Sequence, residues 1–345
     1  MRVLVVTDAW RPQVNGVVRT IEHLIAHAPA FGAETDLLTP DAFRTVPLPT
    51  YPEIRLALAS SARVSRMIED SRPDHVHITT EGPLGHAARR ACLRSGRAFT
   101  TSYHTRFPEY VRRRAPVPEW LTYAWLRRFH NAGDGVMVAT ESLARDLERH
   151  GFKRLMRWTR GVDAQLFRPR PGVDVFNLPR PIFLYVGRVA PEKNLAAFLS
   201  LELPGSKVVV GEGPSRDELE RRFPETRFVG SLEGEALAEA YASSDVFVFP
   251  SRTDTFGIVI LEALASGLPV AAYPVTGPAD ILKGEAAGAL DEDLQAAALR
   301  ALSASRDEAR ALALRHGWGE ATRLFVENVR SVLARHGSCK RAAES

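Results

Sequence analysis

The stretch Val246-Phe-Val-Phe-Pro-Ser-Arg-Thr-Asp-Thr-Phe-Gly-Ile-Val-Ile-Leu-Glu-Ala-Leu-Ala-Ser-Gly-Leu-Pro-Val270 decides the fold. It reads as strand, tight loop, helix, Gly stop and second strand. The first strand is apolar at every position, as strands covered on both faces of a parallel sheet are. A helix that carries the chain back to a second such strand makes a β-α-β unit. Asp254 lies in the loop and Glu262 one to two turns into the helix, with seven residues between them. Two carboxylates beside a helix N-terminus can accept hydrogen bonds from sugar hydroxyls. The N–H groups of Phe256, Gly257 and Ile258 can meanwhile hold a phosphate. The plainer alternative makes Asp254 a helix cap and leaves Glu262 in solvent. Glu262 nevertheless sits within 258–265, a face otherwise apolar, where an unpaired carboxylate is costly.

Outward from this unit the same alternation fills the chain. Short apolar runs at 3–6, 35–39, 75–78, 98–103 and 135–139, then at 182–186, 207–210, 226–229, 246–249 and 270–273, predict strands. Helical patterns lie between them, among them 16–27, 84–95, 142–150, 215–222 and 233–242. The pattern predicts an α/β protein of two doubly wound, Rossmann-like domains. A chain of 345 residues is long enough for two. The boundary falls before the Pro/Gly stretch 169–172, giving domains 1–170 and 171–345, with a helix near 316–336 that packs back on the first domain. In such sheets ligands bind at the carboxyl ends of strands.

Three further loops lie at strand ends. Val186-Gly-Arg-Val-Ala-Pro-Glu-Lys-Asn194 carries Arg188 and Lys193, a guanidinium fork and a point charge suited to a diphosphate. Thr101-Ser-Tyr-His-Thr-Arg-Phe-Pro108 carries His104, which can orient a substrate or share a proton. Asn15-Gly16 follows the first strand and brings backbone close to a ligand at a helix start. Gly211-Glu-Gly-Pro214 is only half a dinucleotide fingerprint. Asp291-Glu-Asp293 imitates a metal-binding pair but reads better as a cap for the helix that follows. No Walker loop, zinc spacing or Ser-His-Asp arrangement is present, and no metal is expected.

Together the four loops resemble the retaining, GT-B-fold enzymes of glycosyltransferase family 4. Asn15-Gly-Val-Val-Arg-Thr20, Ser102-Tyr-His-Thr-Arg-Phe-Pro-Glu-Tyr110 and Arg160-Gly-Val-Asp163 look most like lipid-acting members: glycosyl-, glucuronosyl- and sulfoquinovosyl-diacylglycerol synthases and the related mannosyltransferases. The resemblance implies two domains facing a central cleft, acceptor in the first and nucleotide sugar in the second. It implies that Arg188 and Lys193 hold the donor diphosphate, and that Gly16 approaches the phosphates. Glu262 then binds ribose, Gly230 and Leu232 flank the base, and Asp254 with the 256–258 backbone holds the sugar. His104 touches the sugar near the reacting carbon. The family usually has Glu where this chain has Asp254. The implied reaction moves glucose, glucuronate or a similar hexose to diacylglycerol. The alternatives are a GDP-mannose-dependent mannosyltransferase or a transferase to a soluble glycan.

Charge separates along the chain. Residues 1–170 hold 26 Lys+Arg against 17 Asp+Glu, a net +9, and the rest hold 19 against 24, a net −5. A basic half suits an anionic surface; a noncatalytic module binding such a surface is the competing reading, and no nucleic-acid motif accompanies the charge. Segment 109–130 packs five aromatics and five arginines into 22 residues. Its helix, from Pro118 to about Asn131, places Trp120 with Tyr123 and Arg127, and Leu121 with Ala124, Trp125 and Arg128. Aromatics beside Arg, with the Arg112–Arg114 cluster, predict peripheral attachment to the inner face of the cytoplasmic membrane. Two cysteines, Cys92 and Cys339, fit neither a disulfide framework nor a zinc site and suit a reducing compartment. The apolar run before Asp8 is that of a buried strand, too short for a secretory leader.

Overall fold

The computed structural model describes residues 1–13, 15–48, 51–114 and 116–343, the side chains of 51–53, 113–114 and 337–343 excepted. The chain divides into two compact units, Met1–Thr159 with Trp318–Ser345, and Arg160–Gly317.

The first unit holds β1 (Arg2–Val6), β2 (Glu34–Leu38), β3 (Thr45–Leu48), β4 (Tyr51–Ala57), β5 (His75–Ile78), β6 (Phe99–Ser102), β7 (Gly135–Val138) and β8 (Leu155–Arg157). Six of them form a parallel sheet in the order β2-β1-β5-β6-β7-β8, and β3 with β4 forms a separate antiparallel ribbon. The alternation of β1 sends Leu4 and Val6 to one face, against Val64, Ile68, Leu84 and Ala88. Val3 and Val5 go to the other, against Ile21, Leu24, Phe325, Val326 and Val329. The last three belong to the helix Trp318–Ala343, which therefore completes the core of the first unit. At its start the Trp318 ring stacks on His23, with centroids 4.3 Å apart.

The boundary differs from the expected one at residue 170. Arg310 donates to the carbonyls of Ala164 (2.9 Å) and Phe167 (2.7 Å), which ties residues 160–170 to the second unit. A Pro/Gly stretch marks a chain turn, whereas a domain edge lies where cross-contacts are fewest.

The second unit holds β9 (Ile182–Val186), β10 (Ser206–Val210), β11 (Arg227–Gly230), β12 (Val246–Phe249), β13 (Val270–Ala272) and β14 (Gly288–Leu290). All are parallel, in the order β11-β10-β9-β12-β13-β14. Chain order runs outward from β9 one way to β11, then resumes beside β9 at β12 and runs the other way. The switch point lies between β9 and β12, the crevice where doubly wound sheets take ligands.

Polar groups are buried in the first sheet, and several of them meet one another. His77 lies between the hydroxyls of Thr100 (2.8 Å) and Ser102 (2.7 Å), and His75 meets Thr100 at 2.9 Å. Burial, with the charges of His336 and Arg97, lowers the His75 pKa from 6.5 to about 3. The unfolded chain thus binds a proton near pH 6.5 that the folded chain refuses until about pH 3. This group favours folding above pH 6.5, and that contribution is lost as pH falls from 6.5 toward 3. The stability of His75→Asn, measured by urea unfolding, is expected to fall less steeply with acid than wild type, by about 1.4 kcal/mol per pH unit in that window.

Candidate active site

The site in the second unit is built on the two loops that flank its switch point. After β9 the chain passes Gly187 and Arg188 into a short 3-10 turn, Pro191–Lys193, and then Asn194 in left-handed backbone (φ 58°). Asn tolerates that conformation better than most residues. Its side chain donates to the carbonyl of Pro250 at 3.1 Å, joining the loop after β9 to the loop after β12. Thr253 donates to the Glu192 carbonyl (3.5 Å), and Lys193 Nζ donates to Asp254 Oδ1 at 2.5 Å. Both charged side chains are mostly covered, at 20% and 16% exposure. Asp254 Oδ2 is buried and accepts no hydrogen bond among the described residues.

Beyond Asp254 the chain reaches Gly257 at φ 87° and enters the helix Ile258–Ala265. A Cβ on Gly257 would lie 2.9 Å from Ile260 and 3.2 Å from Phe249, so the turn needs glycine. The first N–H groups of the helix have no intrahelical acceptor, which makes this end a seat for an anion. Glu262, on the second turn, is only 2% exposed, and the Tyr241 hydroxyl donates to its Oε2 at 2.9 Å. It is therefore neither a solvent-facing residue nor an uncompensated charge.

The loop after β9 is fixed from beneath. The Tyr185 hydroxyl donates to the Arg188 carbonyl (2.9 Å), and Val189 N–H to the Glu212 carbonyl (2.8 Å). Gly211 is explained here: a Cβ on it would lie 1.9 Å from the Gly187 carbonyl oxygen. The Gly-Glu-Gly loop is thus glycine-rich because two strand-end loops pack backbone to backbone. Gly230 ends β11 and accepts from Gly211 N–H at 2.7 Å, with Leu232 two residues on. Arg188, Lys193, Asp254, the 256–258 backbone, Glu262, Gly230 and Leu232 all lie in this unit, at or beyond the carboxyl ends of β9, β11 and β12.

The Asp-Glu-Asp run is fully committed elsewhere. Asp293 caps Leu294–Ala301 through the N–H groups of Gln295 and Ala296, Asp291 pairs with Arg300 (2.8 Å), and Glu292 pairs with Arg252 (2.9 Å).

Gly16 and His104 lie in the first unit. Asn15 caps the helix Gly16–His27, accepting from Val17 (3.0 Å) and Val18 (3.1 Å), so that Gly16 is exposed at its first turn. Val14, the residue before this cap, lies outside the described residues. His104 follows β6, with its ring edge-on to Trp158 at 5.8 Å. The sequence reading missed what holds this loop. Arg106 pairs with Glu109 (2.7 Å) and Asp146 (3.0 Å), and the Tyr123 hydroxyl shares Glu109 (3.1 Å). It also missed Asp8, whose carboxylate accepts from Leu84 (2.8 Å) and Gly85 (3.0 Å) at the start of the helix Pro83–Ser95. Burial raises the Asp8 pKa all the same. Glu81 with His130 (3.0 Å) is a third buried pair that no local pattern announced.

The aromatic helix is Glu119–His130, and its faces differ from those expected. Tyr123 is buried and stacked on His150, with centroids 3.8 Å apart, because its hydroxyl has a carboxylate to reach. Trp120, Leu121 and Trp125 are exposed, at 67%, 44% and 43%. Arg112 pairs with Glu119 (2.9 Å), and the Arg113 and Arg114 side chains lie outside the described residues. Among the described residues no helix is long and apolar enough to cross a membrane.

Comparison with known proteins follows the same division. Residues 14–166 match Glycosyltransferase Family 4, and residues 180–307 match Glycosyl transferases group 1. A GDP-mannose-dependent alpha-mannosyltransferase of Mycobacterium tuberculosis is 32% identical, over 84% of this chain and 83% of its own. The sulfoquinovosyl transferase SQD2 of Arabidopsis thaliana is 31% identical, over 80% of this chain and 60% of its own. Among solved structures, Anabaena HepE in complex with UDP-glucose superposes with a TM-score of 0.73 at 16% identity, covering 96% of this chain and all of that one. The two parallel sheets are those of the GT-B fold.

Tyr241→Phe removes one hydroxyl and leaves the Glu262 carboxylate short of a buried donor. Urea unfolding is expected to show a loss of about 1–3 kcal/mol.

Proposed function

The chain belongs to glycosyltransferase family 4, and from that membership we propose that it moves a hexose from a nucleoside diphosphate sugar to a membrane lipid, with retention at the anomeric carbon. The observation that carries this reading is the meeting of the Arg188–Lys193 loop with the Asp254 loop and the 258–265 helix start at one switch point. Cations and a helix N-terminus suit the developing charge of a nucleoside diphosphate leaving group. Asp254 is the acceptor for sugar hydroxyls and Glu262, oriented by Tyr241, the acceptor for ribose hydroxyls. His104 meets the sugar near its anomeric carbon. Gly230 and Leu232 flank the base, and Gly16 approaches the phosphates.

In the proposed front-face reaction the bond from the anomeric carbon to the β-phosphate oxygen breaks. The acceptor oxygen bonds to that carbon on the same face, and its proton passes to the departing phosphate. Arg188 and Lys193 stabilise that phosphate, and no metal is assigned a part, since each carboxylate of 291–293 already has a structural role.

The 32% identical relative supports mannose, carried by GDP, ahead of glucose or glucuronate. A panel of GDP-mannose, UDP-glucose and UDP-glucuronate with mixed lipid vesicles, read by product mass in excess EDTA, is expected to give a mannosylated lipid. The expected loss for Lys193→Ala is at least tenfold in kcat/KM, which about 1.4 kcal/mol of transition-state binding accounts for. Wild-type activity in that variant, or a requirement for Mg²⁺ or Mn²⁺, would overturn the site as assigned.

The lipid acceptor is supported by the exposed Trp120, Leu121 and Trp125 beside Arg128. Rings at headgroup depth with cations on phosphates are how an interfacial helix binds the inner leaflet. Wild type is expected to co-sediment with anionic vesicles at low salt, and the double variant Trp120→Ser, Trp125→Ser to remain in the supernatant. Equal sedimentation would point to a soluble glycan.

A further inference from the structure

Lys193 and Asp254 have separate assignments, one to the diphosphate and one to the sugar, yet they hold each other at 2.5 Å. We propose that this ion pair is an exchange latch. The donor's diphosphate takes Lys193 from Asp254, and the sugar's hydroxyls replace Lys193 on the released carboxylate. The inference rests on the donor-site assignment above and goes beyond it by coupling its two halves.

Two features support the exchange. The two loops are held by other bonds: the Asn194 side chain on the Pro250 carbonyl and the Thr253 hydroxyl on the Glu192 carbonyl keep them together whatever Lys193 does. The carboxylate is also costly to abandon. Its Oδ2 is already buried without a hydrogen bond among the described residues, so losing Lys193 removes the cation paired with the charge.

The consequence is a distinction between substrate and product. A nucleotide sugar supplies an anion for Lys193 and hydroxyl donors for Asp254. A nucleoside diphosphate supplies only the anion and leaves Asp254 uncompensated. Asp254 therefore weakens product binding selectively, which favours release after transfer.

Asp254→Asn keeps the shape and removes the charge, so its effect has opposite signs for the two ligands. Isothermal titration calorimetry of the full chain with GDP, and with GDP-mannose, is the test. The expected result is GDP bound at least threefold tighter by Asp254→Asn than by wild type, with the preference for GDP-mannose over GDP reduced at least threefold. Asp254→Glu retains the charge and is expected to keep GDP binding within twofold of wild type. UDP and UDP-glucose are run in parallel, so that the base does not decide the outcome. Thermal unfolding of each variant checks that the fold is kept. GDP binding that is unchanged or weaker in a folded Asp254→Asn would overturn the latch while leaving the donor site standing. Failure of wild type to bind any of the four nucleotides would overturn the donor-site assignment itself, and the latch with it.

Discussion

The arrangement of the second unit depends on one topological constraint. β9 is the only strand of its sheet from which the chain proceeds in one direction and beside which it later resumes in the other. The crossovers therefore diverge, and the loops at the carboxyl ends of β9 and β12 meet at this switch point, the place where doubly wound sheets open. Two loops must cover this opening and pair their own polar groups. They do so with each other, through Asn194 and Pro250, Thr253 and Glu192, Lys193 and Asp254. The chemistry of the site is thus the chemistry of closing that gap.

Buried charge is handled by supplying each group with a designated partner. An isolated carboxylate in a protein interior costs several kcal/mol, and hydrogen-bond donors recover much of it. Glu262 has Tyr241, Asp8 has the N–H groups that start the helix Pro83–Ser95, and Glu81 has His130. Arg106 links Glu109 to Asp146 and so anchors the loop that carries His104 to two helices. Asp254 holds Lys193 on one oxygen, while its other oxygen, like Oε2 of Glu109, is buried with no hydrogen bond among the described residues.

Several sequence features that imitate sites are accounted for by structure alone. Gly211 is required by the Gly187 backbone beside it, and the Asp-Glu-Asp run caps a helix and pairs with two arginines. On the aromatic helix, burial of Tyr123 against His150 leaves only Trp120, Leu121 and Trp125 as its outward apolar surface.

What the sequence by itself determined was everything carried by neighbours along the chain. Apolar runs four or five residues long marked the central strands, because a strand covered on both faces has no polar side to show. The loop chemistry of Arg188, Lys193 and Asp254 was visible because each lies a few residues past a strand end, and Glu262 because it interrupts the apolar helix that follows. The three-residue strands β8 and β14 and the ribbon of β3 with β4 were not visible, since so short a run, or a ribbon outside both six-stranded sheets, shows little apolar pattern. Only tertiary structure decided the pairings between distant residues. Lys193 with Asp254 spans 61 positions, Glu81 with His130 spans 49, and the helix Trp318–Ala343 joins a core begun at Val3. Periodicity reports that a face is buried, and nothing in it names the partner. That choice is made by packing, where a buried charge or an apolar stripe must find its complement wherever the fold brings one within reach.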